Sequence, residues 1–454
     1  MKFTLSSIFF LAVSLSYGQN PVITSWLQNT TETGSYYASG NSTAVGNGIL
    51  ANCQQVEYSD DYAYVTCTGI PAYPTGPFQD GNPSQATNQL AIYKFPLNPA
   101  PNTGSNTETT PGTIGVFING VSLYDYRDGV AWNPITNALC GGPGNSPCPG
   151  GIGAENDWNR DAIPAESEGF DCAKGHPAMG NYHHHQNPTA FDLDQVEVSD
   201  VCNLYAADGL YVINPEAHSP LVGFAYDGYP IYGAMAYANV DGTGGITRIK
   251  TGYDLRNITE RTTHADGTIV DNGPDVNDTY WLGYFREDYE FIVNDGEEYL
   301  DEHNGRFAVT PEYPEGTYAY YCTVDEAYNS AYPYAVGPKF YGVYTNSMVV
   351  NVNETTIVYT DADNVRDNPL SVVKINVYPN PAAELVAIQV NNSLQTNMTV
   401  SLLDVNGKLI DNTTIARGST IAYFDLQKIY AGKYLVRVTN GDYAVTKELI
   451  IIKE

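Results

Sequence analysis

The chain has 454 residues, enough for two or more domains, and a formal net charge of −30. That charge argues against a nucleic-acid binder, which needs a basic stripe, and against docking on anionic lipid. Tyr is abundant (37, against 14 Phe and 4 Trp), and Gly and Pro number 42 and 27. This composition implies strands, half-wet aromatic surfaces and many turns.

Residues 1–18 read as a signal peptide. Lys2 supplies the positive start, Ile8 to Leu15 the apolar run, and Ser16-Tyr17-Gly18 a small-residue cleavage site before Gln19. The apolar run is too short to span a bilayer, and no other stretch is long enough. An exported chain without a transmembrane helix is expected.

Seven cysteines follow, and in an exported protein most should pair. Cys53 and Cys67 lie symmetrically about Asp60, and Ser59-Asp60-Asp61 looks like a hairpin turn that would set them opposite each other. Cys140 and Cys148 close a short Gly/Pro loop. Cys172 with Cys202 is the third expected bridge, leaving Cys322 odd; the alternative makes Cys172 a metal ligand. Strands are expected at 91–95, 115–119, 210–213, 221–226 and 317–321, and a short helix near 154–160.

Four of the seven histidines fall within 176–185. In an extended Tyr182-His183-His184-His185, His183 and His185 share one face and His184 points to the other. Two imidazoles spaced this way can converge on one metal ion, with His176 and then His218 as the favoured further ligands. Neutral imidazole suits Zn or Cu. Asp227, in the turn Tyr226-Asp227-Gly228, and Tyr182 are candidates to orient a ligand ring from behind, although Asp227 also fits a turn residue bonded to its own backbone. Calcium is a weaker option at the acidic loops 241–245 and 271–278, neither of which is a complete ligand loop.

The same stretch resembles the YHYH-domain proteins. The likeness rests on Tyr182-His183-His184-His185, on Cys172-Ala173-Lys174-Gly175-His176-Pro177 before it and on Asn187-Pro188 after it. His218 to Gly233, Asn304-Gly305-Arg306 and Thr310 to Tyr321 extend it, in order, over roughly 110–345. His184 stands where the family has Tyr. The resemblance implies a common fold and no settled activity. Asp301 to Arg306 also gathers two carboxylates, an imidazole and a guanidinium; it reads first as a solvated turn with Arg306 paired locally.

Charge marks a boundary. Residues 375–454 carry seven Lys+Arg and seven Asp+Glu, so the whole −30 lies upstream. The polar stretch 351–374 reads as a linker, and 375–454 as about seven short strands in a small β-sandwich, with hairpin turns at Asn406-Gly407 and Asn440-Gly441. Tyr378-Pro379-Asn380-Pro381, Asp404-Val405-Asn406-Gly407-Lys408 and Ala431 to Val438 resemble the type A sorting domain of the type IX secretion system. The resemblance implies a Bacteroidetes-type source, handling by the type IX machinery and its sortase, and delivery to the cell surface or the medium.

The expected protein is therefore mainly β: a large irregular domain over 19–350, then a small C-terminal sandwich. Two readings of its function stand. One is a transition-metal site, which if catalytic would run metal-assisted hydrolysis or copper redox chemistry. The other is a non-enzymatic module binding glycan or surface polymer, with the His cluster as scaffold.

Overall fold

Ala91–Pro96 alternates buried and half-buried side chains, and Leu221–Ala225 is buried at every position. The first pattern is that of a strand with one face on the core, the second that of a strand covered on both faces. The computed structural model describes residues 19–38, 43–78, 85–142, 144–149, 156–188, 213–344, 348–360, 375–390, 398–404, 408–416, 419–439 and 444–453. The fold is mainly β, in two units, 1–359 and 360–454.

An eight-stranded mixed sheet organises the first unit. Its strands are β1 (Thr113–Phe117), β2 (Ser122–Tyr124), β3 (His176–Ala178), β4 (Asn181–His184), β5 (Leu221–Ala225), β6 (Pro230–Tyr232), β7 (Gly305–Ala308) and β8 (Thr317–Tyr321). Their order across the sheet is β3-β4-β2-β1-β5-β6-β8-β7. The β4–β2 and β6–β8 pairs are parallel and the others antiparallel. A five-stranded sheet containing Cys53–Tyr58, Tyr62–Cys67 and Ala91–Pro96 contributes to the same core. Trp26 joins the two sheets, its ring 5.3 Å from Phe95 and 5.5 Å from Phe224. Burying aromatic rings of this size dominates the stability of such a core.

The second unit has its own core, between a three-stranded sheet (Ile375–Tyr378, Leu385–Val390, Ile421–Asp425) and a four-stranded one (Met398–Asp404, Leu409–Ile415, Gly432–Thr439, Ala444–Ile451). Among the described residues no helix is long and apolar enough to cross a membrane.

Several expectations are corrected. The helix expected near 154–160 is displaced: Asn159–Asp161 is a strand, and the helix is Ala162–Glu166. Asp161 decides this by accepting from Ile163 N at 2.9 Å, which caps the first turn. The stretch read as a linker contains a strand, Ile357–Tyr359, that pairs with Cys53–Tyr58 in the first unit. Cys140–Cys148 is bridged. Cys53 and Cys67 are opposite each other in register, but a bulge beside Cys53 leaves the sulfurs in contact at 3.1 Å as unbonded thiols. Cys322 is free. Cys172 is disulfide-bonded, which removes it as a thiolate ligand; its expected partner, Cys202, lies outside the described residues. So do the signal peptide, most of the 210–213 strand and both Asn-Gly turns.

Candidate metal centre

The site begins with a two-residue turn. Met179 and Gly180 both have positive φ (49° and 88°), the backbone of a type I′ hairpin. Met179 carries no burial, so its strained conformation costs no packing. The turn folds β3 back on β4 and makes His176 the direct cross-strand partner of His183. His185 follows two residues on, on the same face as His183.

Among the described residues, His176, His183 and His185 form a convergent group, each offering a ring nitrogen within 4.8 Å of the others. All three are buried. His183 Nδ1 donates to the Asn181 carbonyl at 2.9 Å, and His185 Nδ1 donates to the Asp125 carbonyl at 2.6 Å. A carbonyl only accepts, so the proton of each neutral ring sits on Nδ1 and the lone pair on Nε2. These two Nε2 atoms face each other at 3.2 Å. Two lone pairs at that distance repel unless a proton or a metal ion lies between them. Tyr124 fixes the His183 plane by stacking at 3.8 Å, and Phe170 sets the edge of His176 at 4.9 Å.

Glu166 completes the group. Its Oε2 lies 3.3 Å from both His176 Nε2 and His185 Nε2. Oε2 and His176 Nε2 are nevertheless buried without a hydrogen bond of acceptable geometry. Burial alone would raise the Glu166 pKa, yet the facing His176 and His185 rings hold it well below the usual carboxylate range. Burial, then the charge of the other two rings, pushes His183 well below its ordinary value. Burial also disfavours charge on His185, but Glu166 outweighs it and raises its pKa. Metal–ligand bonds of about 2.0–2.1 Å around a tetrahedral ion put neighbouring donors roughly 3.3 Å apart. The contacts of 3.2 and 3.3 Å match that spacing, and the three imidazole nitrogens all lie within 4.8 Å of one another.

The other face of β4 is closed. His184 Nδ1 donates to the Lys174 carbonyl at 2.9 Å, and its Nε2 accepts from Tyr73 Oη at 3.0 Å. Tyr182 Oη donates to the Asp171 carboxylate at 2.8 Å. Gly175 lets the chain pass close over this face: a Cβ there would lie 2.4 Å from Tyr182 Oη.

The family model described as YHYH protein matches residues 92–333, more than half of the chain. The chain belongs to the YHYH family. A second model, the secretion system C-terminal sorting domain, matches residues 376–453. This tail places the protein at the cell surface or in the medium, by type IX export. No curated protein matches the chain.

In this YHYH protein the expected ligand partners separate. His218 is not in the group. It sits before β5 against Tyr232 and Tyr237, its Nδ1 bonded to the Ser219 carbonyl at 2.7 Å, and β2 and β1 lie between β4 and β5. Asp227 does not orient an imidazole either. Its carboxylate accepts from Tyr320 Oη at 2.5 Å and from Gly342 N at 2.8 Å. Tyr182 faces away from the three rings, as strand alternation requires. Asp301 accepts from Tyr318 Oη at 2.9 Å and from two backbone amides of its turn, and buried Arg306 donates to the Tyr237 and Glu297 carbonyls rather than to a local acid. Asp241, in an acidic loop, is taken up by Thr243. Glu166 is the residue missed from sequence; the signal available was Asp161, an N-cap that starts a short helix ending at Glu166.

Proposed function

We propose that this exported YHYH protein works through a single transition-metal ion bound by His176, His183 and His185, with Glu166 as the adjoining carboxylate. The observation that carries the reading is the pair of Nε2 lone pairs of His183 and His185, turned toward each other by carbonyls that hold the opposite ring nitrogens. Backbone acceptors behind metal-bound imidazoles fix the tautomer in this way.

Three nitrogens and one oxygen, with no sulfur, suit Zn or Cu(II) and disfavour Cu(I). The ion would offset the negative charge of Glu166 and satisfy His176 Nε2. It would also staple the helix Ala162–Glu166 to the β3–β4 hairpin. Elemental analysis of the exported protein, purified without chelator, tests this: about one equivalent of Zn or Cu per chain is expected. Metal-free protein whose melting temperature is the same with and without added Zn or Cu would overturn it.

A further inference from the structure

A cavity of about 220 Å³ opens in the first unit, and none of His176, His183, His185 and Glu166 lines it. Four tyrosines form its walls: Tyr126 and Tyr332, which are buried, and Tyr253 and Tyr289, which are half-buried. They meet because the strands Tyr253–Leu255 and Tyr289–Phe291 pair antiparallel and pack on the cluster of Tyr126, Ile163, Phe170, Tyr332 and Tyr334. At ~30 Å³ per molecule the space would hold about seven waters. That is the scale of one sugar ring rather than of a polymer segment.

The walls are rigid. Tyr289 stacks on Tyr332 at 4.2 Å, with the planes 7° apart. Tyr126 and Tyr253 stand edge to face with Tyr332, at 5.2 and 5.3 Å. Tyr253 Oη donates to the Glu302 carbonyl at 2.8 Å. Rings locked in this way lose little freedom when a ligand packs against them.

Arg286 brings a donor with spare capacity. Its Nε donates to Glu287 at 2.5 Å and its Nη1 to Tyr126 Oη at 2.9 Å. Its Nη2 faces the Glu108 carboxylate at 3.6 Å, an ion pair too long to be a hydrogen bond. The Arg286 and Glu108 side chains are 17% and 59% exposed, so solvent reaches this pair. His264 Nε2 donates to the Asp157 carbonyl at 2.8 Å, which leaves the lone pair of Nδ1 as an acceptor. His264 is half-buried and lines the same cavity.

Charge narrows the ligand. Three carboxylates (Glu108, Asp266, Glu287) and two cations (Arg286, Lys339) line the space. The acids, with the net charge of −30, disfavour an anion, and Arg286 among the tyrosines disfavours a cation. A neutral ligand with hydroxyls and an apolar face meets both the polar groups and the rings.

We propose that this cavity binds one neutral sugar residue, at the end of a glycan chain. A sugar oxygen accepts from Arg286 Nη2. Sugar hydroxyls donate to Glu108 and to His264 Nδ1. The apolar face of the ring packs against Tyr253 and Tyr289. The proposal is independent of the metal reading.

The test is saturation-transfer NMR, followed by calorimetric titration, of the exported protein as purified. The probes are the methyl glycosides of neutral hexoses, pentoses, 6-deoxyhexoses and N-acetylhexosamines. At least one should bind saturably. Glu108→Ala and Tyr289→Ala should each weaken it tenfold or more while circular dichroism shows an unchanged fold. Glu108 is exposed, so its variant keeps the test open if Tyr289→Ala fails to fold. No saturable binding by folded protein would overturn the proposal, as would binding indifferent to Glu108→Ala. A soaked crystal showing only ordered water between Arg286 and Tyr253 would also overturn it. Binding of glucuronate or of free amino acids in place of every neutral sugar would overturn the ligand class.

Discussion

The two faces of β4 carry the same kind of residue under opposite conditions. On one face, His184 and Tyr182 are buried and every polar atom discussed has a partner: Lys174 O, Tyr73 Oη and Asp171. On the other, His183 and His185 are equally buried, each is bonded to a carbonyl through Nδ1, and their Nε2 atoms face only each other and, for His185, Glu166. Burial and chemistry are shared, so neither distinguishes structure from site. What distinguishes them is which lone pairs the fold leaves unspent.

The largest effect expected from this contrast is in metal content. His183→Ala with His185→Ala should drop bound Zn or Cu from one equivalent to none by elemental analysis. His184→Ala should leave the equivalent in place while destabilising the fold by about 2–4 kcal/mol, because it opens a cavity and strands Tyr73 Oη and Lys174 O. Equal metal loss in both variants would erase the distinction between the faces.

Next in size is the stability linked to the ion. A ligand held a thousandfold above its Kd stabilises the folded state by about 4 kcal/mol. Chelator should therefore lower the melting temperature of the wild type by several degrees, and that of the double alanine variant by none. A chelator response that survives in the double variant would move the metal elsewhere.

The division between His183/His185 and His184 was legible in sequence because a strand has period two, and that needs no tertiary information. The place of His176 was half legible. Its nearness in sequence suggested it, but the turn that delivers it is Met179-Gly180, and Met is an unusual residue for positive φ. Glu166 was hidden because it enters from a helix outside the hairpin. His218 was misassigned for the complementary reason: separation along the chain says nothing about sheet order, and two strands, β2 and β1, lie between β4 and β5. The β-rich class and the C-terminal sandwich were legible from alternation and turn residues. The strand Ile357–Tyr359 was not, since its residues are mostly exposed and only its pairing with Cys53–Tyr58 makes it a strand.

Glu166→Gln gives a smaller, sharper effect. The amide keeps the shape and an acceptor oxygen but removes the charge. If the carboxylate adjoins the ion as proposed, metal affinity should fall about 10–100-fold, the range typical for loss of a supporting partner, with stoichiometry retained at saturation. Competition with a chromogenic chelator reads this directly. Unchanged affinity would leave three imidazoles as the whole ligand set.

The smallest effect concerns the closed face and its pH dependence. Asp171 is fully buried, and burial raises its pKa to about 7 despite the opposing bonds from Gly76 N, Gly175 N and Tyr182 Oη. The folded state therefore holds this proton more tightly than the unfolded chain, whose carboxylate titrates near 3.8. The stability Asp171 contributes is full below that lower value and is lost as pH rises through about 7. The loss is at most roughly 4 kcal/mol. Asp171→Asn mimics the protonated form and cannot titrate, so urea midpoints between pH 4 and 7 should fall less steeply than in the wild type. Asp161, also pushed up to about 7 by burial, remains and keeps part of the slope. Because Asp171 touches none of the three converging imidazoles, the variant should bind Zn or Cu with wild-type affinity at pH 7. A loss of metal together with the flattened slope would mean that the two faces of β4 are coupled through the strand rather than independent.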